Sequence, residues 1–230
     1  MIGRDLKKLG TKKKALSSAR FFKTAVGQYG YGDVFIGVTV PEQRIVAGKC
    51  GGLALSEITK LLESKIHEHR LTGLLILVGQ FKQADEKIRK RIVKFYLAHT
   101  KYINNWDLVD ASARYILGEY LFNKDRKIIF NLVRSKNMWE RRVAIVSTHA
   151  FIVRGDVDDT LHIAEALLSD SHDLMHKATG WMLREVGKKS PSKLKKFIDK
   201  HISNMPRTML RYAIERFPEQ ERKEVLARKI

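Results

Sequence analysis

Cysteine is almost missing from this sequence: Cys50 is the single one in 230 residues. No intrachain disulfide can form, and no CxxC or His/Cys ligand spacing exists, so a reducing, intracellular setting is expected and a metal site is not. His67 and His69 are two residues apart, which on a helix sends them to different faces. Proline is also scarce, with four residues, and no Pro/Ser-rich linker divides the chain. The longest apolar run, LTGLLILVG (71–79), falls far short of the ~20 residues that a membrane span needs. The start, MIGRDLKKLGTKKK, carries charge but no apolar core follows it, so no secretory signal is expected. Acidic residues are outnumbered: 44 Lys and Arg stand against 25 Asp and Glu, for a net charge of +19 and a pI near 10.0.

What is present is a large apolar share, 44%, enough for a substantial core and against wholesale disorder. A surplus of positive charge repels itself and calls for a partner. Nucleic acid fits it best, an acidic membrane surface next, and a merely solvated basic surface is the bland reading. Helical periodicity dominates the pattern. KIRKRIVKFYLAH (87–99) places Ile88, Ile92, Phe95 and Tyr96 on one stripe with Lys and Arg opposite. RKIIFNLVRS, RRVAIVSTHAFIV, DDTLHIAEALLS, HKATGWMLREVGKK and RTMLRYAIERF read the same way. The only strand-like piece is DVFIGVTV (33–40), equally compatible with a loop. Beyond it, Thr39 and Glu42 have capping-box spacing around Pro41, so a helix begins there. GYGDVFIG (30–37) is not a GxGxxG turn and has no nucleotide role.

Short punctuation (GKCGG, INN, FNKD, SKN, RGD, SDS, KKSPS) separates these helices and favours antiparallel neighbours. Helical pairs recur at roughly the ~40-residue period of HEAT-type arrays. The expected fold is therefore all-α, a curved HEAT-like helical-repeat array forming one domain over 1–230 with a concave basic face. A helical bundle is the other architecture the pattern permits.

Trp106, Trp139 and Trp181 follow that period loosely, and each is trailed three or four residues later by a charge: Asp110, Arg142 and Arg184. Trp106 and Asp110 share a helical face. A carboxylate beside a large aromatic is costly when both are buried without a partner, so the acid has a neighbour in the fold or awaits one. Each residue also has a plainer role. A tryptophan on an amphipathic helix is usually core. Asp107, in a first helical turn, simply complements the helix dipole. On that plainer reading Arg141 and Arg142 would be solvated surface, and Arg184 would pair with nearby acids.

NNWDLVD (104–110), NMWERRVAI (137–145), HKATGWMLREV (176–186) and FIGVTVPEQR (35–44), in that family's order, resemble the signature segments of AlkD-like DNA alkylation repair glycosylases. The likeness runs over about residues 19–190. It implies HEAT-like repeats, lesion-contacting positions at Trp106, Asp110 and Trp181, a DNA-backbone contact at Arg142 with Arg141 beside it, and a weaker carry-over at Arg184. ARFFK (19–23) looks like the N-terminal helix whose aromatic touches DNA, with Phe21 lacking a hydroxyl there. It also implies that the lesion stays stacked rather than flipped.

The chemistry suits these residue types. A purine alkylated at N3 or N7 is cationic, and its release passes through an oxocarbenium-like sugar. Ionised Asp110 would stabilise that charge and orient a water. The indoles would hold the cation, and arginine forks would grip phosphate. The expected activity is monofunctional DNA-alkylpurine glycosylase action on duplex DNA containing alkylated bases, by a cytoplasmic, nucleoid-associated monomer without cofactor, metal or membrane partner. A non-catalytic repeat protein binding bent or branched DNA, or a scaffold for an acidic protein, are the alternatives.

Overall fold

The computed structural model describes residues 2–228. Residues 1, 229 and 230 of the expected 1–230 domain lie outside the described residues. All regular structure among them is helical, as the periodicity predicts. Contacts gather into two compact units, one ending at Ser112 and one beginning at Ala113.

The first unit contains α1 (Ile2–Leu9), α2 (Lys12–Phe21), α3 (Val40–Gly48), α4 (Leu55–Leu62), α5 (His67–Gln83), α6 (Glu86–Ala98) and α7 (Trp106–Asp110). The apolar run of residues 71–79 turns out to be the middle of α5. Its residues are buried on nearly every side, and α3, α4, α6 and α7 all pack on it. A helix that is apolar all round belongs at the centre of a unit. No described helix is long and apolar enough to cross a membrane.

The capping expectation at residue 39 holds. The Thr39 amide and hydroxyl both donate to Glu42 Oε2, each at 2.7 Å, and α3 opens there with Pro41 in its first turn. In α6 the stripe is shifted by one position. Ile92 and Tyr96 are buried, but Ile88 faces solvent and Val93 takes the inner place, because the core lies against the middle of the helix rather than its first turn.

The strand-like segment 33–40 forms no strand. It makes one parallel bridge, Val34 to Ile66, and then three successive amides, those of Ile36, Gly37 and Val38, turn onto the Glu68 carboxylate at 2.8–3.3 Å. A carboxylate takes the donors that a neighbouring strand would otherwise have bonded. Gly37 has φ +80, and a Cβ there would lie 2.3 Å from the Thr11 carbonyl oxygen. Only glycine fits.

The second unit opens with a π-helical turn at Arg114–Gly118 that runs into α8 (Glu119–Leu121). It continues with α9 (Lys127–Leu132), α10 (Met138–Ser147), α11 (His149–Ile152), α12 (Asp158–Ala166), α13 (Asp173–Lys189), α14 (Pro191–His201), α15 (Arg207–Ala213) and α16 (Glu219–Ala227). Asn137 caps α10 by accepting from the Trp139 amide at 3.0 Å, and Pro191 opens α14. Helix α13 is the hub: α10, α11, α12, α14 and α15 all pack on it. It packs tightly against α15 at Gly180, where a Cβ would meet the Met209 carbonyl oxygen and Tyr212 Cβ at 2.5 Å.

Gly180→Ala should therefore lower the unfolding free energy by about 1–3 kcal/mol through overpacking. Gly79→Ala, in α5 with open space where its Cβ would point, should raise it by about 0.5–1 kcal/mol. Urea titration of both variants, followed by circular dichroism, checks the two signs.

Candidate functional site

Helix α7 is five residues long, too short to be stable by itself. Its position is set by what grips it. At its start, Asn105 accepts from the Trp106 amide at 2.8 Å and donates its Nδ2 to Asp33 Oδ2 at 3.3 Å. Asp107 accepts from the Leu108 amide at 2.9 Å through Oδ1. Its Oδ2 lies 2.8 Å from His67 Nε2. The other ring nitrogen, Nδ1, is 3.0 Å from Asp33 Oδ2, and Arg70 Nη2 is 2.6 Å from Asp33 Oδ1. The His67 side chain is 2% exposed. Asp107 thus does far more than complement a helix dipole, the part the sequence suggests for it. At the other end of α7, the Ser112 hydroxyl bonds the Leu108 carbonyl at 2.6 Å and the buried Tyr96 hydroxyl at 3.0 Å.

Electrostatics follow this geometry. Burial alone would push His67 down, but the hydrogen bond and charge of Asp107, joined by the Asp33 bond, outweigh it and raise the ring to about 9 against the opposing charge of Arg70. Burial also works against ionised Asp33, yet His67 and Arg70 hold its carboxyl below the usual range. The Tyr96 hydroxyl is raised, mainly by burial, with the negative charge of Asp110 adding to it and the Ser112 bond opposing. Asp110 itself is partly exposed.

Aromatic rings continue the cluster. Phe22 stacks on Trp106 at 5.3 Å, on Phe35 at 5.1 Å and tilts over His67 at 4.9 Å, while Phe35 stacks on His67 at 4.7 Å. Phe21, 65% exposed, meets Trp106 edge-on at 5.9 Å. The structure therefore brings Phe21, Trp106 and Asp110 together on one unit.

The other expected site residues belong to the second unit and are engaged within it. Trp181 is partly exposed, its ring 6.0 Å from that of His149. Arg114 Nη1 lies 3.5 Å from His149 Nε2. Burial first, then the charges of Arg114 and Lys188, lower the pKa of His149 against the pull of Glu185. Arg142 is only 5% exposed and donates to the Leu174 carbonyl at 2.7 Å. Arg141 binds Asp170 at 2.6 Å and the carbonyls of Ser135 and Lys136. Arg184 pairs with Glu215 and Glu185, the plainer of its two sequence readings. Trp139 is buried and acts as core rather than as part of an open surface.

A family model described as "DNA alkylation repair enzyme" matches residues 2–217. The chain belongs to the DNA alkylation repair enzyme family. Among solved structures, a predicted DNA alkylation repair enzyme from Enterococcus faecalis superposes with a TM-score of 0.71, covering 91% of this chain and 97% of its own at 14% identity, which establishes a shared fold. No curated protein sequence matches the chain.

The residues that the sequence did not single out are Asp33, His67 and Arg70. Their numbers are too far apart for any spacing rule. One signal was available: the polar HEHR (67–70) runs straight into the apolar LTGLLILV on the same helix, and polar side chains buried there need internal partners. Among the described residues, no group of three or more His, Cys, Asp or Glu side chains is arranged to hold a metal ion.

Because the folded-state pKa of His67 lies above the ordinary histidine value, its protonation stabilises the fold fully below pH ~6.5, and that contribution disappears as pH rises through about 9. The thermal midpoint of the wild-type chain should fall between pH 7 and 10. In His67→Gln the fall should be smaller from a lower starting value, as checked by calorimetry across that range.

Proposed function

We propose that this repair enzyme is a monofunctional glycosylase that releases cationic N3- or N7-alkylated purines from duplex DNA and leaves an abasic site. The observation that carries the reading is the pairing on α7 of a partly exposed indole, Trp106, with a partly exposed carboxylate, Asp110, one turn away. A net charge of +19 supplies salt-dependent attraction to the duplex.

The proposed mechanism needs few groups. As the bond from the anomeric carbon to the base nitrogen lengthens, positive charge moves from the alkylated ring to the sugar. An anionic Asp110 stabilises the sugar cation more than the ground state, and this differential interaction is what accelerates a reaction. The same carboxylate orients the water that adds to the anomeric carbon and accepts its proton. The departing base takes the bonding pair and becomes neutral, so no general acid is required. The Trp106 face offers a cationic nucleotide a cation–π contact of about 0.5–2 kcal/mol. Phe21 and Phe22 limit how far that ring can swing.

Trp181 as a second indole, Arg184 as a phosphate contact and retention of the lesion in the base stack rest on the family resemblance alone. Arg142 would meet a phosphate only through the small part of its side chain that is exposed, and Arg141 only by exchanging part of its present bonding.

Incubation with duplex DNA methylated at guanine N7 or adenine N3, followed by chromatography of free base, tests the reading. Wild type should release base well above the spontaneous rate. Asp110→Asn should lose about 100-fold or more while binding DNA with similar affinity. Binding without release by the wild type would leave the branched-DNA reading in its place.

A further inference from the structure

Three segments far apart in sequence converge on one imidazole: the loop before α3 through Asp33, the start of α5 through His67 itself, and α7 through Asp107. Each ring nitrogen faces a carboxylate oxygen, at 3.0 and 2.8 Å. A neutral imidazole has one donor and one acceptor, so only the imidazolium donates in both directions. Rings of Phe22 and Phe35, stacked on one another at 5.1 Å, both lie against it. A cation between two anions, with aromatic rings packed against it, is held in one orientation.

This grip joins the bonds of Asn105 to Asp33 and of Ser112 to Leu108 and Tyr96, and differs in kind from the apolar burial of α7. Leu108 and Val109 are buried, but apolar burial is non-directional and fixes depth rather than angle. The two hydrogen bonds of His67 are directional. The ring also reaches α7 by a second route, because Phe22, tilted over His67, stacks on Trp106. A turn of the helix about its axis would break the Asp107 bond and the Trp106 stack together, and it would swing Asp110 by the same angle.

We propose that His67, clamped as a cation between Asp33 and Asp107, is a positioning residue that sets the orientation of α7 and thereby aims Trp106 and Asp110 at the reacting nucleotide. The inference rests on the glycosylase reading for its catalytic part and on geometry alone for its structural part. His67 is too deeply buried to touch DNA, so it acts only through α7. The charged groups that face it are Asp33 from the loop, Arg70 from its own helix and Asp107 from α7. Glu68, next in the chain, is turned to the amides of residues 36–38.

The decisive experiment compares base release by wild type, Asp107→Asn and His67→Gln across pH 6–10, with amide exchange of Val109 and Ala111 measured on the same proteins. These amides bond the carbonyls of Asn105 and Asp107. Wild-type turnover should fall only as pH passes about 9, where the ring loses its proton. Asp107→Asn keeps a hydrogen-bonding group but removes the charge, so that fall should move at least one pH unit toward neutral, with DNA affinity within about twofold. His67→Gln should lose about 10–100-fold in turnover and the alkaline fall with it. Both variants should exchange the α7 amides at least tenfold faster at pH 7.

Unchanged pH profiles and unchanged exchange in both variants would overturn the proposal, as would an Asp107→Asn defect that merely follows global unfolding. Should either variant fail to fold, nitrogen-15 spectra of the wild-type His67 ring decide: two ring N–H groups at pH 7 support the clamp, and a neutral ring overturns it. Wild-type chain that shows the charged ring and protected α7 amides but releases no base keeps the clamp and defeats the glycosylase reading instead.

Discussion

A single imidazolium held between two carboxylates organises the part of this molecule where chemistry is proposed. Taking such charges out of water costs several kcal/mol for each ion before pairing offsets it. The cluster meets that cost by balance: two cations, His67 and Arg70, face two anions, Asp33 and Asp107, with short bonds between opposite signs. Glu68, equally deep, is satisfied by backbone amides rather than by a cation. An arrangement of this kind adds little to stability compared with apolar packing, yet it admits one geometry. That trade suits a five-residue helix whose orientation matters more than its strength.

The two units carry the candidate site residues in different states. In the first, Trp106 and Asp110 are partly exposed and framed by Phe21 and Phe22, with their positions set from behind. In the second, Arg141, Arg142 and Arg184 hold elements of the unit to one another through Asp170, the Leu174 carbonyl and Glu215. Each is a structural tie as well as a proposed DNA contact. Substituting any of them perturbs packing and charge together, so a loss of DNA binding in such a variant does not by itself identify a phosphate contact. Asp110 is the cleaner probe of the proposed chemistry, because replacing it by asparagine changes charge with little change of shape.

Local signals made most of the fold legible. Period-3.6 stripes, the box at Thr39 and Glu42 and the short breaks at SKN and KKSPS each depend on residues within a turn of one another. So does the Trp106–Asp110 pairing, which is why that pair stands out in the sequence. The features that escaped depend on long-range contact. Nothing near Asp107 in the chain announces His67, and nothing near Asp33 announces Arg70. The π-helical turn at Arg114–Gly118 packs on α10 and α11, which follow it in sequence. The solvent-facing Ile88 and the burial of Trp139 and Arg142 were settled by which surfaces found neighbours, not by periodicity. The loop at 33–40 looked strand-like because its composition is β-prone, and it lost the strand to a carboxylate donated from α5.

The account joins two carboxylates on one short helix, one that fixes its orientation and one proposed to act on the sugar. A double-mutant cycle on base release under single turnover, combining Asp107→Asn with Asp110→Asn on a duplex of defined methylated sequence, tests that link most directly. If Asp107 acts by aiming Trp106 and Asp110, its substitution should slow release strongly in the wild-type background and far less once Asp110 is gone, when only the aim of Trp106 is left to lose. Two losses that simply multiply would contradict the account, because Asp107 would then contribute to the reaction independently of the residue it is said to position.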